Sequence, residues 1–479
     1  MIKTNRIGIV SFLLIILMSA NSLYCLAEKM ESIQKITLDQ AVKIALDSSI
    51  KRQLAKDEVD TAQAKLGQAY SGYFPKITLS GGVAQFDEIP SSVQLANSLI
   101  DLNNALDTWA GYMALFETEP HQKAFLQNLS DGLSQKKKYD EGLTYTSIKL
   151  RLEQPLYTGG KLTAVNRQAQ ANIDYAKANL ETAEQNLVLE VKKSYFTVLQ
   201  MQHLLETMNE AVKSMENHCR EAKLYFEAGQ VPQLDVLRAE VKLADLQQKQ
   251  LSVQNGLLLS QRYFNFVLGV DQNTQYQLED REDYASLTRS IEACKKIAMT
   301  NRTELKALKI QQMMVQDNVI IAKSGKKPLV ALVAQGEHIE PVASDPEITL
   351  SLVATLNISD GGMVKNQVAE AELRLRQIEN AQNLMVQGIS LEVEQAYQNI
   401  ENSLKAIEVS GKALKQSEET VRMAEVSYQA GLGTSLERID AEVGLTQAKN
   451  NYYQAVNNYY IALAQLEKAL GVTEEELLK

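Results

Sequence analysis

The chain has 479 residues and a formal charge of −10. That balance argues against a nucleic-acid partner, which favours basic faces, and by itself serves solubility. Beyond residue 27 only Cys219 and Cys294 remain of three cysteines, so no disulfide framework holds the protein together.

In chain order, Lys3 and Arg6 precede an apolar run from Ile7 to Ala20, and a small residue follows at Ala27. This is the pattern of a secretory signal peptide, expected over 1–27 with cleavage after Ala27 and Cys25 at the −3 position. Acylation of Cys25 is the alternative, disfavoured because Leu23-Tyr24 put a bulky ring where a lipidation site wants a small residue. After the leader no apolar run approaches the ~20 residues of a membrane-spanning helix, so a membrane role would have to come from a β-barrel.

The eight prolines, at 75, 90, 120, 155, 232, 328, 341 and 346, leave 156–231, 233–327 and 347–479 free of proline. Proline breaks helix interiors, and these spans are rich in Ala, Leu, Gln, Glu and Lys, so they predict long helices. Lys161 to Ala228 alone would run about 100 Å at ~1.5 Å per residue, too long for a compact globule. Coiled-coil-like packing or a tall hollow bundle is expected instead.

Strands are expected where apolar and polar residues alternate. In 144–154, Ile148, Leu150 and Leu152 alternate with Lys149, Arg151 and Glu153. In 348–358, Ile348, Leu350, Leu352, Ala354, Leu356 and Ile358 form one face, with Val353 off pattern. Shorter, less regular strands begin near Ile77 and Leu329. A period of two gives one apolar and one polar face. The adjoining helices are too long to cover such a sheet, so lipid is a partner for its apolar face, with the polar face toward a lumen.

The chain also repeats itself. Gly159-Gly160 matches Gly361-Gly362, Tyr195 matches Tyr397, Ala228-Gly229 matches Ala430-Gly431, and Leu268-Gly269-Val270 matches Leu470-Gly471-Val472, each pair 202 residues apart. Upstream, Ile44-Ala45 matches Ile297-Ala298 and Pro75 matches Pro328, 253 apart. The difference places about 51 extra residues in the first copy, within 86–143. The expected layout is a first repeat over 28–270, a connector over 271–290, a second repeat over 291–472 and a tail over 473–479. Each repeat reads helix, Pro, strand, loop, strand, Gly-Gly, long helix, Gly turn, helix. Four strands cannot close a membrane barrel, the smallest having about eight, so a barrel requires several chains.

Four stretches then resemble the TolC family of outer-membrane efflux proteins. They are Thr37–Leu46, Tyr73-Phe74-Pro75-Lys76-Ile77, Gln154–Gly160 and the turn Tyr225–Leu237. The likeness covers 37–85 and 144–472. It implies a mainly α fold with a membrane β-barrel, in which a homotrimer forms a twelve-stranded outer-membrane barrel and a long periplasmic α-helical tunnel. It also implies a passive conduit for efflux or type I secretion, embedded in outer-membrane lipid and docking on a periplasmic adaptor and an inner-membrane transporter. A periplasmic adaptor or a structural coiled-coil protein of the envelope is the alternative, but an adaptor predicts one hairpin and many short strands.

Gly229 and Gly431 each interrupt a helical pattern, as helix C-caps do. The resemblance makes Gly229, Gln230, Val231, Pro232, Gly431, Leu432, Gly433 and Thr434 adaptor-contact tips. It makes Glu437 and Asp440, which share a helix face, part of an acidic ring at the entrance, and Asp235 with Tyr428 a latch between helices. Here the chain departs from the family's best-studied closed gate, which also uses an arginine two residues after the second tip glycine, where this chain has Gly433; Arg238 and Arg438 lie near enough to stand in. The insertion, with helix-like spacing in Val93–Phe116 and the sole tryptophan, Trp109, is expected as an external loop. No catalytic chemistry, cofactor or metal site is expected: the histidines at 121, 203, 218 and 338 lack ligand spacing. Cys219 and Cys294 read as small packing residues.

Overall fold

The computed structural model describes residues 34–86, 143–281, 283–340 and 346–478. The leader, nearly all of the 86–143 insertion, and with it Val93–Phe116 and Trp109, lie outside the described residues. In chain order the elements are β1 (Gln34–Ile36), α1 (Leu38–Ser48), α2 (Ile50–Ser71), β2 (Lys76–Phe86) and β3 (Leu143–Tyr157). Then follow α3 (Lys161–Glu227), α4 (Gln233–Leu268), β4 (Tyr276–Leu278), α5 (Ile291–Asn301), α6 (Thr303–Ser324) and β5 (Leu329–Glu340). The chain continues with β6 (Glu347–Thr355), α7 (Met363–Gln429), α8 (Ser435–Leu470) and α9 (Glu474–Leu478). The duplication is visible in the lengths: α3 and α7 both have 67 residues, α4 and α8 both have 36.

The fold comprises two compact units. Of the described residues, one holds those within Met1–Gly67, Val165–Val319 and Gln367–Lys479, and the other those within Gln68–Ala164 and Ile320–Asn366.

The first unit is helical. Its main core is a belt around Val191, Tyr195, Phe196, Phe264, Val393, Ile400, Tyr459, Tyr460 and Leu466, all buried. Phe196 stacks on Tyr460 at 4.4 Å between ring centroids, and Tyr195 meets Phe264 edge-on at 5.9 Å. Hydroxyls tie the connector to this belt. Tyr195 donates to the Glu279 carbonyl at 2.7 Å, Tyr459 to that of Ala285 at 2.9 Å, and Tyr397 to that of Arg289 at 3.2 Å. Tyr195 and Tyr397 are repeat mates doing the same job on different parts of one segment.

Two features of this unit differ from the sequence expectation. Each opening helix is broken in two, at Ser49 (ψ 126) and Arg302 (ψ 120). The breaks admit helix ends: an added Cβ on Gly269 would lie 2.6 Å from the Ser48 carbonyl oxygen, and one on Gly471 3.2 Å from that of Asn301. The connector also carries β4, which pairs in parallel with β1 over three residues, too few for alternation to register.

The second unit holds an antiparallel sheet in the order β2-β3-β5-β6. Register aligns like with like. Ile77 pairs with Leu152, Leu79 with Leu150, Leu152 with Ala334, Ala334 with Leu350 and Leu332 with Leu352. The result is an apolar face that is exposed in one chain: Leu79 is 71% exposed, Ile348 81% and Leu350 70%. The opposite face carries Lys149 and Glu337 as an ion pair at 3.4 Å, with Arg151, Glu153, Gln335 and Thr349. Among the described residues, β2 and β6 are open edges, and no helix is long and apolar enough to cross a membrane.

Candidate functional site: the hairpin ends

Helices α3 and α4, and α7 and α8, are antiparallel mates joined by short turns. Both turns use the same chemistry. At the first, Gln230 N–H donates to the Tyr225 carbonyl at 2.8 Å and Gly229 N–H to that of Phe226 at 2.9 Å, with Gly229 at φ 68. At the second, Leu432 N–H donates to Ser427 at 2.9 Å and Gly431 N–H to Tyr428 at 3.0 Å, with Gly431 at φ 71. This is the Schellman arrangement, which satisfies the last helical carbonyls and needs a left-handed residue.

The re-entry differs between copies. Pro232 caps α4 without a side-chain bond, whereas Thr434 caps α8 in a reciprocal box with Glu437. Glu437 N–H donates to Thr434 Oγ1 at 3.2 Å, and Thr434 N–H to Glu437 Oε2 at 2.8 Å. Those bonds from Thr434 hold the Glu437 carboxyl below its ordinary pKa. Glu437 therefore already has a capping role, while Asp440 is exposed on the same face. The glycine at 433 also has a local reason: an added Cβ would lie 3.1 Å from Ser427 Cβ and 3.2 Å from the Tyr428 amide nitrogen. A side chain there would require these neighbours to give way slightly. Of the expected tip residues, Gly229, Gln230, Pro232, Gly431, Leu432 and Thr434 are exposed, and Val231 and Gly433 half-buried.

Asp235 and Tyr428 are not joined by a hydrogen bond. Asp235 lies 3.8 Å from Arg238, and the buried Tyr428 hydroxyl has no hydrogen-bond partner among the described residues. The Asp235 charge still bears on the phenol. Burial pushes the Tyr428 phenol up; the nearby Arg438 opposes that and the Asp235 charge reinforces it.

What occupies the centre of this end is Arg438. Its side chain is 6% exposed, forms ion pairs with Glu221 on α3 and Glu425 on α7, each at 2.5 Å, and lies over the Tyr428 ring at 5.4 Å. Next to it His218 on α3 meets Ser435 on α8 at 2.8 Å and stands edge-on to Tyr428 at 5.2 Å between centroids. Burial, then the Arg438 charge, pushes the His218 imidazole down to about 4, against a lesser upward pull from Glu221. The remaining packing is apolar: Met215, Cys219, Ala239, Leu246 and Ile439 form a small core behind it. Cys219 and Cys294 are both buried free thiols, in line with their reading as packing residues. His218 and Glu221 had no sequence signal, because their partners on α8 lie 217 residues away; Glu425 had none because no fixed spacing links it to Arg438 across the turn between α7 and α8.

Two matched helical hairpins in one unit, and a two-faced open sheet in another, are the architecture of outer-membrane efflux proteins. The chain belongs to the outer membrane efflux protein family, whose profile matches residues 123–270 and 296–472. It is similar to the outer membrane protein TolC of Vibrio cholerae serotype O1, 28% identical over 171 residues, which are 36% of this chain and 38% of that protein. It is similar also to TolC of Salmonella enteritidis, 26% identical over 130 residues, 27% of this chain and 26% of the relative. The chain thus matches well under half the length of these curated relatives. Solved structures are matched over nearly the whole fold. VceC of Vibrio cholerae aligns with a TM-score of 0.70 at 16% identity, covering 91% of this chain and 96% of that one. The Campylobacter jejuni CmeC outer membrane channel aligns at 0.73 and 14% identity, covering 91% and 85%. CusC, whose structures concern folding and transmembrane channel formation, aligns at 0.72 and 15% identity, covering 92% and 93%. Family and fold are those of channel proteins, and the location is the outer membrane.

Proposed function

We propose that three copies of this chain form a passive conduit that carries solutes from periplasm to exterior. The single observation that carries this reading is the sheet: four strands, two open edges, one exposed apolar face and one charged face. An open edge presents unpaired N–H and C=O groups, and lipid offers them no water. Joining β6 of one copy to β2 of the next removes every edge. Three copies give a closed barrel with lipid outside and the Lys149–Glu337 face toward water. The helical hairpins extend this conduit as a periplasmic tunnel. Their tips, Gly229–Pro232 and Gly431–Thr434, are the docking surface for a periplasmic adaptor and, through it, an inner-membrane transporter of a tripartite efflux or type I secretion system. Asp235, Tyr428, Glu437 and Asp440 narrow the tunnel near those tips.

Native mass spectrometry and planar-bilayer recording of the purified protein test the conduit. A trimer with discrete ohmic openings is expected; a soluble monomer that never conducts refutes it. Photo-crosslinkers at Gln230 and Leu432 test the docking surface in cells: capture of an adaptor from these positions supports it, and capture only from positions far along α3 or α7 removes it.

A further inference from the structure

The two copies of the repeat enter the sheet through turns of one backbone design. At the first, the N–H groups of Gly72, Tyr73 and Phe74 donate to the carbonyls of Ala69, Tyr70 and Ser71 at 3.2, 3.0 and 3.1 Å. At the second, those of Gly325, Lys326 and Lys327 donate to Ala322, Lys323 and Ser324 at 3.2, 3.3 and 2.9 Å. Even the serine hydroxyls match, Ser71 donating to the Gln68 carbonyl at 2.7 Å and Ser324 to that of Ile321 at 2.6 Å. Proline follows in both, and then a strand. The side chains, by contrast, change character. Tyr70, Tyr73 and Phe74 in the first copy are Lys323, Lys326 and Lys327 in the second. Since the backbone bonds are the same, the turn itself requires neither set. The helix dipole gives a reason for Lys323, in the last turn of α6, but Lys326 and Lys327 lie beyond that helix.

Both turns flank the end of β3. Gln154 Nε2 donates to the Tyr73 carbonyl at 2.9 Å, which ties the aromatic turn to this strand. The stem of Lys327 lies against Gly159, where an added Cβ would meet Lys327 Cβ at 2.7 Å. Lys161 follows two residues later, and Lys161, Lys326 and Lys327 are exposed and form no ion pair among the described residues. Asp360 feels the Lys326 charge, but its carboxylate already accepts from the Val364 and Gly362 N–H groups at 3.0 and 2.9 Å. The cations border apolar surface: Leu156, Tyr157, Leu329 and Leu356 are about half exposed and Ile358 is 93% exposed. We propose that the lysine turn is a headgroup site for an anionic phospholipid of the periplasmic leaflet, its phosphate held by Lys326 and Lys327 and its acyl chains laid on the apolar face of the sheet. A lysine suits that boundary because its stem lies on apolar surface while the ammonium reaches the phosphates. The aromatic turn of the first copy is the uncharged interfacial anchor at the same end of the sheet. Free phosphate would use the cations but not the apolar border, so the occupant is a lipid.

The site rests on the reading of the sheet as a membrane wall, and the experiment separates the two. Native mass spectrometry of the full-length purified protein in a non-ionic detergent counts bound lipid as phosphatidylglycerol or phosphatidylcholine is titrated in. At roughly fivefold per lysine, the wild type is expected to prefer phosphatidylglycerol by about tenfold or more. Lys326→Tyr with Lys327→Phe gives the second turn side chains that the first already carries on the same backbone. Its preference should fall to near parity with phosphatidylcholine retention kept, and an unchanged preference overturns the proposal. Should that variant fail to fold by circular dichroism, Lys326→Gln with Lys327→Gln carries the same expectation and the same refutation. Lys405→Gln with Lys415→Gln makes an equal charge change at exposed positions of α7 and should leave the preference alone. An equal loss there shows that net charge selects the lipid and overturns the site, as does complete displacement of phosphatidylglycerol by equimolar inorganic phosphate. Flotation with vesicles of the same lipids scores the membrane wall by itself. A chain that does not float, but whose preference responds to the two lysines, removes the wall and leaves the site; one that floats with an unresponsive preference removes the site alone.

Discussion

Replacing Arg302 with methionine should destabilise the helical unit more than any surface ion pair can. Arg302 stands at one of the two breaks in the opening helices and is 5% exposed. Its Nη1 donates to the carbonyls of Ala469 at 3.3 Å and Lys468 at 3.4 Å, so it caps the C-terminal end of α8. Nη2 donates to Glu392 at 2.8 Å, and Nε lies 3.0 Å from Glu304. The two carbonyl bonds are long, about 0.5 kcal/mol each. A cation at a helix C-terminus adds about 0.3–1 kcal/mol. Losing the charge also strands two carboxylates, but Glu392 is 41% exposed and keeps Lys468 at 3.8 Å, and Glu304 is 22% exposed. That cost therefore stays well below a fully buried pair, at about 1–2 kcal/mol. The total is about 2–4 kcal/mol, and on per-residue unfolding entropies a body of this size loses about 3–6 °C in melting temperature. Circular dichroism melts measure it, with Arg374→Met as control. Arg374 pairs with Glu370 one turn away, both sides more than half exposed, and should move the melt by less than about 1 °C. Equal shifts for the two variants would refute the reasoning that burial and the helix end, not the ion pair as such, set the cost.

Acidification offers a second test. The folded-state pKa of His218 is depressed from 6.5 to about 4, so between those values the unfolded chain binds a proton that the folded chain refuses. Its contribution to stability is whole above pH 6.5 and is lost as pH falls toward 4. His218→Asn should flatten this part of the stability–pH curve, and an identical slope in the variant contradicts the assignment. A third test compares glycines of like conformation. Gly229→Ala and Gly269→Ala each put a side chain at positive φ, costing about 1–2 kcal/mol. Only at Gly269 does the new Cβ also meet a backbone oxygen, so thermal melts should show the larger loss there, and equal losses refute the packing of that helix end on Ser48.

The architecture was legible because duplication and periodicity leave marks that survive in one sequence. Proline ahead of Lys76 and Leu329 marked the two strand entries, alternation marked β3 and β6, and the 202-residue offset returned as helices of equal length. The breaks at Ser49 and Arg302 were not legible. Neither residue is a helix breaker, and the cause is a helix end arriving from far along the chain. The site followed the same division. The turn glycines announce themselves locally, since left-handed backbone selects them. The Arg438 cluster does not, because Glu221 becomes its partner only when two hairpins are laid side by side, and Glu425 only when α7 and α8 fold back on each other. The absent arginine at Gly433 was visible in the sequence, and the close approach of Ser427 and Tyr428 to that position was visible only in three dimensions.

The central claim is that the sheet is a membrane wall, one face to lipid and the other to water. A nitroxide scan through Ile348, Thr349, Leu350, Ser351 and Leu352 in reconstituted vesicles tests it most directly. Accessibility to oxygen should peak at 348, 350 and 352, and accessibility to a water-soluble nickel reagent should peak at 349 and 351. A flat profile, or water accessibility at every position, contradicts the account.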